Sequence, residues 1–451
     1  MTTDFSQGRV SARILAQAVP LTLAQLVQLL YSIVDRIYIG HLPGLGSAAL
    51  TGVGLTFPVV TLIAAFTALF SMGGTPLFSI ARGAGEETRA RRIMGSVFSL
   101  LALTSLALTV LCLALRRPIM FLFGASESSY VYADAYLRLY LLGTPMTMLA
   151  TGLNGFINAQ GFPRVGMLTT VIGAVCNLVL DPLFIFALDM GVSGAALATV
   201  ISQAVSCLWV LRFLTGKRAL LRLERENLRV DPAIARKVVS LGAAGFFMQG
   251  TNCLVQVVCN ATLHTFGGDL YVGVMTVVNS VRSVLELPVS GLSSGAQPVL
   301  GFNFGAKKYE RVKDAIRFTS LCGISYNVLA WLLVLCFPEP LMRVFTADAA
   351  LVEAGREALH IYFFGFFFMS FQFAGQAVFQ SLGLARYAVF FSLLRKAVIV
   401  VPLTLLLPRL GLGAAGVFLA EPISNLLGGL ACFTTMYFTV YRKLDKTSKT
   451  A

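Results

Sequence analysis

Long apolar runs dominate this chain, and they restrict its fold more than any other feature. Twelve segments, near 14–39, 50–80, 94–115, 133–158, 165–187, 193–214, 238–262, 272–302, 315–337, 357–381, 387–408 and 414–440, are apolar over most of their length. About 20 such residues cross the hydrocarbon of a bilayer as a helix. A bilayer core offers no water to backbone amides and carbonyls, so runs of this kind must close their hydrogen bonds internally as helices. The composition agrees: 57% of the residues are apolar and 12% charged, where a soluble domain carries roughly a quarter charged. A mean hydropathy of +0.79 excludes a single soluble globule, a disordered chain and a secreted disulfide scaffold. The expected class is an all-α polytopic membrane protein of twelve transmembrane helices.

The net charge of +14 would fit a nucleic-acid partner only if it formed a basic stripe on a soluble face. Here Lys and Arg fall in the short gaps between apolar runs, so no nucleic-acid partner is expected. With both termini placed in the cytoplasm, 25 Lys and Arg lie in inside segments and six in outside ones, a strong positive-inside asymmetry. The eight Cys (112, 176, 207, 253, 259, 322, 336 and 432) include no CxxC pair, and His41, His264 and His360 are far apart. Neither zinc nor a disulfide framework is signalled. The N-terminal MTTDFSQGRVSAR carries no cleavable-signal pattern.

The longest polar break, Arg212 to Lys237, divides the chain into halves of six spans. The halves repeat one another at an offset of 222 residues: Ser71/Ser293, Gly73/Gly295, Pro76/Pro298, Gly83/Gly305, Arg89/Arg311, Tyr140/Tyr362, Gly143/Gly365, Gly161/Gly383, Arg164/Arg386, Gly194/Gly416 and Ser202/Ser424 coincide. An even number of spans per half makes these parallel repeats, two six-helix lobes around a central cleft, an architecture that transports by rocking one lobe against the other. The expected organisation is an N-lobe over 1–215, a cytoplasmic linker over 216–237, a C-lobe over 238–440 and a cytoplasmic tail over 441–451.

An acid within an apolar span is costly, and it signals function unless it is paired or interfacial. The first lobe has two, Asp35 in the first span and Asp181 in the fifth. Asn177 lies four residues before Asp181, on the same helical face. Gln25, Gln28, Ser32 and Asp35 form a polar stripe at helical spacing, which turns one face of the first span toward a cavity. The plain alternatives are an interface pair between Asp35 and Arg36, and a helix-terminal role for Asp181 ahead of Pro182. The second lobe carries Arg282 and Glu286 four residues apart, then Arg395, Lys396 and Glu421. These read either as a salt-bridged network holding the lobe together or as a substrate or proton site at Glu286 or Glu421. Amide stripes mark the seventh span (Gln249, Asn252, Gln256, Asn260) and the tenth (Gln372, Gln376, Gln380). The expected cavity residues are Gln28, Tyr31, Asn154, Gln256 and Gln376, with soft apolar walls from Met146, Met148, Phe156, Met248, Met275 and the Phe363–Phe373 cluster.

GAQPVLGFNFGAKKYERVKDA (295–315), its weaker copy SMGGTPLFSIARGAGEETR (71–89), VDRIYIGHL (34–42) and the Asn177-to-Asp181 spacing together resemble the multidrug and toxic compound extrusion (MATE) family, in its MepA-like branch. The resemblance covers nearly all the chain. It implies a secondary active antiporter that exports cationic amphipathic compounds in exchange for H⁺ or Na⁺, with no other cofactor, acting as a monomer in the prokaryotic inner membrane among its lipids. It further implies that Asp35, Asn177, Asp181 and Thr199 hold the coupling ion, Na⁺ included, since hard cations take oxygen ligands. At the 222 offset these map onto Val257, Ile399, Leu403 and Glu421, so the acid site belongs to one lobe. The departure is in the second lobe, where amides occupy the helices on which some members carry acids.

The nearest rival is a flippase for lipid-linked saccharides, with Arg282, Arg395 and Lys396 facing an anionic diphosphate, although Glu286 and Glu421 offset two of the three charges. An enzyme is not expected, because the chain has no HExxH, no GxSxG and no acid-rich loop for a metal-bound diphosphate. Pro20, inside the first span, removes a backbone hydrogen bond and favours a kink, and ion binding near Asp35 would bias that kink. Pro20→Ala is therefore expected to weaken ion-coupled efflux; unchanged coupled efflux would make the proline purely structural.

Overall fold

The computed structural model describes residues 4–40, 52–123 and 125–444. His41, the end of the VDRIYIGHL motif, the first residues of the second apolar run, the side chain of Arg36 and most of the tail lie outside that description. Among the described residues the regular structure is helical throughout. The helices are α1 (Val10–Gly40), α2 (Phe57–Gly83), α3 (Glu87–Leu122), α4 (Glu127–Leu142), α5 (Thr144–Ala159), α6 (Pro163–Pro182), α7 (Gly191–Thr215), α8 (Pro232–Gly305), α9 (Tyr309–Cys336), α10 (Pro338–Arg343), α11 (Ala349–Tyr362), α12 (Phe368–Ser381), α13 (Ala385–Leu393), α14 (Val401–Leu406) and α15 (Gly413–Met436). Nine of the described helical stretches are by themselves long and apolar enough to cross a membrane.

The twelve apolar runs account for the rest. The seventh and eighth lie within the single 74-residue helix α8, which departs from helical geometry at Gly268 (φ 67°, ψ −167°). Only glycine takes that backbone region without strain. The fourth and tenth runs are broken helices, α4/α5 at Gly143 and α11/α12 around Gly365, and the two breaks stand 222 residues apart. The left-handed positions repeat at the same offset: Gly85 and Lys307, Gly161 and Gly383, Asp189 and Gly411, Gly191 and Gly413 all have positive φ. The duplication read from side chains is thus present in the backbone as well.

The chain forms two compact units, Met1–Asp4 with Leu23–Gly242, and Phe5–Thr22 with Ala243–Ala451. The predicted boundaries differ from these in two places. The beginning of α1 belongs to the second unit: Arg311 donates to the carbonyls of Phe5 at 3.0 Å and Gly8 at 2.8 Å, and Phe5, Ile14 and Ala18 join a core with Ala296 and Val299. The predicted linker belongs to the first unit. Ser96 Oγ donates to the Arg229 carbonyl at 3.2 Å, the Leu221 N–H donates to Gln160 Oε1 at 3.0 Å, and Arg91 pairs with Glu224 at 3.2 Å. Satisfying the linker's polar backbone against α3 and α5 is what ties it down.

In the first unit α2 packs on α3 and α5, and α7 on α4, α5 and α6; in the second, α12 packs on α9 and α15. Close approach depends on small residues, as in membrane helix packing generally. A Cβ at Gly73 would collide with the Val238 carbonyl, and one at Gly295 would meet the Ala18 backbone at 2.6 Å. By contrast, Gly250 faces open space. Gly73→Val is expected to destabilise the protein by about 1–3 kcal/mol, the usual cost of overpacking, whereas Gly250→Ala is expected to leave the melting temperature unchanged or slightly raised. Thermal unfolding of the two purified variants, read beside wild type, checks both.

Candidate ion and ligand sites

The first unit gathers these polar side chains from three helices. Asp35 comes from α1, Asn177 and Asp181 from α6, and Thr199 from α7. Asn177 and Asp181 are each 1% exposed, and Thr199 is buried. With its amide oriented to satisfy both ends, Asn177 Nδ2 donates to Asp181 Oδ2 at 2.7 Å and Oδ1 accepts from the Thr199 N–H at 3.2 Å. Thr199 Oγ1 donates back to the Ala195 carbonyl at 3.0 Å. The Asp35 and Asp181 carboxyl groups face each other closely enough to interact directly. Asp181 is therefore part of a polar cluster drawn from three helices rather than a lone helix-terminal group. Two facing carboxyl groups in an apolar wall call for a proton or a cation between them. Asn177 and Thr199 add the neutral oxygens that a hard cation prefers. Among the described residues no group of three or more His, Cys, Asp or Glu comes together.

Tyrosines complete this cluster, and of these only Tyr31 is expected from the sequence. Tyr31 and Tyr136 reach toward the Thr199 side chain, and Tyr136 stacks on Tyr140 with ring centroids 5.8 Å apart. Tyr136 and Tyr140 lie on α4, whose one acid within the apolar run, Asp134, is paired with Arg116 and Arg138. The available clue was the Tyr140/Tyr362 coincidence between the repeats. Beside the cluster is a small chamber of about 50 Å³ lined by Gln28, Tyr31, Asn154, Thr169 and Asn177.

The second unit holds a larger cavity, about 330 Å³, between α8, α11, α15 and the π-helical turn Leu394–Val400 that joins α13 to α14. Its floor is built around Glu421. Glu421 Oε1 accepts from Arg282 at 3.0 Å, from Arg395 at 3.3 Å and from Lys396 at 3.0 Å, and Oε2 accepts from Lys396 at 3.1 Å. Arg282 also pairs with Glu286 and donates to the Tyr362 hydroxyl at 2.7 Å. Arg395 donates to Asn425 Oδ1 at 2.7 Å. All five predicted second-lobe charges are thus in one network. Tyr362 and Glu421 stand at the repeat positions of Tyr140 and Thr199, so the same two places in each lobe build an acid cluster in one and a mixed-charge cluster in the other.

The expected cavity residues separate. Gln28, Tyr31 and Asn154 line the first-unit chamber and Gln256 the second-unit cavity. Gln376 lines neither: it is buried, and its Nε2 donates to the Ala388 carbonyl and to Ser392 Oγ, both at 3.0 Å. The cause is a repeated tie. Asn154, its partner at the 222 offset, donates to the Gly166 carbonyl at 3.1 Å, and Gly166 is the partner of Ala388. Of the expected soft walls, Met148, Phe156, Phe363, Phe366 and Met369 are packed in the cores, while Met275 does line the second-unit cavity. Pro20 lies buried within α1, two residues before the point where the two units divide that helix.

A family model described as MatE matches residues 20–183 and 246–406, one segment in each repeat. The chain is 26% identical to the multidrug export protein MepA of Staphylococcus haemolyticus over 440 residues, covering 97% of this chain and 94% of that protein. It is 25% identical to the MepA of Staphylococcus aureus strain N315 over 447 residues, covering 99% and 97%. Among solved structures, an outward-facing multidrug resistance MATE family transporter of the MOP superfamily superposes with a TM-score of 0.92 at 23% identity, covering 99% of both chains. A MOP superfamily transporter from Pyrococcus furiosus, described as having a binding pocket of reversed polarity, superposes at 0.91 with 22% identity, covering 98% of both. These structures share the twelve-helix, two-lobe fold.

Among the described residues Glu421 is the acceptor shared by three cations, Arg282, Arg395 and Lys396. Glu421→Gln is expected to lower stability by about 3–5 kcal/mol, since removing one partner strands buried charge. Lys396→Gln is expected to cost clearly less, because Arg282 and Arg395 still satisfy the carboxylate. The melting temperatures of the two purified variants test this order.

Proposed function

The chain belongs to the MatE family of multi-pass membrane transporters, and from that premise we propose that it is a secondary active multidrug exporter, exchanging cationic amphipathic compounds for H⁺ or Na⁺. The observation that carries this reading is the pair of facing carboxyls, Asp35 and Asp181, with Asn177 and Thr199 beside them. A cation or proton arriving between the two acids neutralises the pair, and releasing it restores the repulsion. The site therefore has two electrostatic states, which is what an ion-driven exchanger needs. The multidrug export relatives support the substrate class. Gln28, Tyr31 and Asn154 then form the polar lining beside the ion site, and ligand passage involves no covalent step.

The cycle is rocker-switch alternating access, for which the parallel six-helix repeats are the supporting feature. The protein works as a monomer in a prokaryotic cytoplasmic membrane, in contact with its lipids. Both termini are on the cytoplasmic side, as the Lys and Arg asymmetry supports.

The test uses proteoliposomes loaded with a fluorescent lipophilic cation, under imposed pH and Na⁺ gradients. Wild type is expected to move the dye under one of the gradients, and Asp35→Asn is expected to abolish the driven component. The gradient that works names the ion. Driven movement that survives Asp35→Asn would remove the first-lobe site from the coupling. No driven movement of any cation would favour a flippase for lipid-linked saccharides, whose anionic diphosphate would suit Arg282, Arg395 and Lys396.

A further inference from the structure

Neither the acid cluster nor the charged cavity takes in a basic recess at one end of the first unit. The recess encloses about 570 Å³ between α2, the first turns of α3 and the start of α8, and Arg89, Arg92 and Lys237 are on its wall. These stretches of all three helices belong to the first unit. Two of the cations are not matched within the protein. Arg89 pairs with Glu86 at 2.6 Å. The acid on the wall, Asp231, is engaged as the cap of α8: its Oδ1 accepts from the N–H groups of Ala233 at 2.8 Å and Ile234 at 3.4 Å. Arg92 and Lys237 form no ion pair or side-chain hydrogen bond among the described residues, and both are exposed. Like charges held on one concave wall raise the local potential for an anion.

The second lobe offers an internal comparison. At the 222 offset Thr88 and Arg92 are replaced by Glu310 and Asp314, and Arg311, the counterpart of Arg89, is committed to the carbonyls of Phe5 and Gly8. The basic recess is thus a feature of the first lobe and not of the framework that the repeats share. Its other neighbours select among anions. Leu77 and Ile234, half-buried, and Ile93, buried, border the same space, and α2 and α3 are both long and apolar enough to cross a membrane. The recess therefore lies where spans leave the hydrocarbon, with cations beside an apolar border. A soluble anion gains nothing from that border. A phospholipid sets its phosphate level with the cations and its chains against the apolar side chains.

We propose that this recess binds the headgroup of an anionic phospholipid. The Arg92 guanidinium takes the phosphate oxygens through its planar fork, Lys237 acts as a point charge and the Thr88 hydroxyl donates a further hydrogen bond. Leu77, Ile93 and Ile234 receive the first carbons of the chains. Because Arg92 is on α3 and Lys237 on α8, the lipid ties the start of α8 to the first unit. The site is separate from the efflux reading and does not depend on it.

The experiment is native mass spectrometry of the full-length protein in detergent, titrated with dioleoylphosphatidylglycerol or with the zwitterionic dioleoylphosphatidylcholine. Wild type is expected to hold one phosphatidylglycerol about tenfold more tightly than phosphatidylcholine, and the double variant Arg92→Gln, Lys237→Gln to bind it about thirtyfold more weakly, the effect of two basic side chains at a membrane surface. Arg218→Gln with Arg222→Gln removes equal charge from exposed positions off the recess wall, and is expected to leave that lipid bound. Gel filtration establishes that each variant is folded. Equal affinity of wild type for the two lipids overturns the site. So does an equal loss in both double variants, which makes the attraction a diffuse one. Glycerol phosphate, the headgroup without chains, is added as competitor: lipid that stays bound supports the assignment, and displacement at equal concentration makes the recess a free-anion site and overturns it.

Discussion

Every backbone amide and carbonyl in a bilayer has to find its partner within the protein, and the rest of this structure follows from that requirement. It makes the described chain helical and confines irregular backbone to places where something else satisfies it. The broken helices α4/α5 and α11/α12 are such places. So are the glycine-centred turn at Gly268 and the π-helical turns beside Pro182 and Pro402, where a proline has taken away one backbone donor. It also explains why the segment between the halves is ordered. Its Arg229 carbonyl is bonded by Ser96, and its Leu221 N–H by Gln160, rather than left without a partner.

Duplication then placed two copies of one framework in the chain, and the copies diverged in chemistry while keeping geometry. The amide tie from Asn154 to Gly166 recurs as Gln376 to Ala388. Tyr140 and Tyr362 hold equivalent places, one beside an acid pair and the other bonded to Arg282. Thr199 and Glu421 are equivalent, and so are Gly173-Ala174 and Arg395-Lys396. With two cations in place of small neutral residues, and a carboxylate in place of a hydroxyl, the second copy is a cavity lined by charge of both signs where the first is a cluster around an acid pair. An isolated charge would be intolerable there. The five appear together because each reduces the desolvation cost of the others.

Much of this was legible in the residues. Apolar run length marked the twelve spans, and the constant 222 offset marked the repeat, because both are properties of residue type along the chain. Asp35, Asn177 and Asp181 stood out because polar groups in apolar runs are rare, and the five second-lobe charges did so for the same reason. Where the reading failed, the cause was that polarity does not report direction. Gln376 looked like a cavity wall and is a packing tie. Met148 and Phe156 looked like soft pocket surface and are core. Tyr136 gave no signal at all, since a tyrosine in an apolar helix is unremarkable until its hydroxyl is found near Thr199.

The sequence by itself determined the helical class, the number of spans, the parallel duplication and which half carries the Asp35 and Asp181 pair, since these depend on hydrophobicity and on periodicity along one chain. Only the tertiary structure decided that Asp35 and Asp181 face each other, that one glutamate serves three cations, and that the start of α1 belongs to the second unit and the linker to the first. Those facts depend on which helix faces meet across more than a hundred residues of chain. Backbone hydrogen bonding within a helix is indifferent to that choice; packing of small residues such as Gly73 and Gly295, and the satisfaction of buried polar groups, make it.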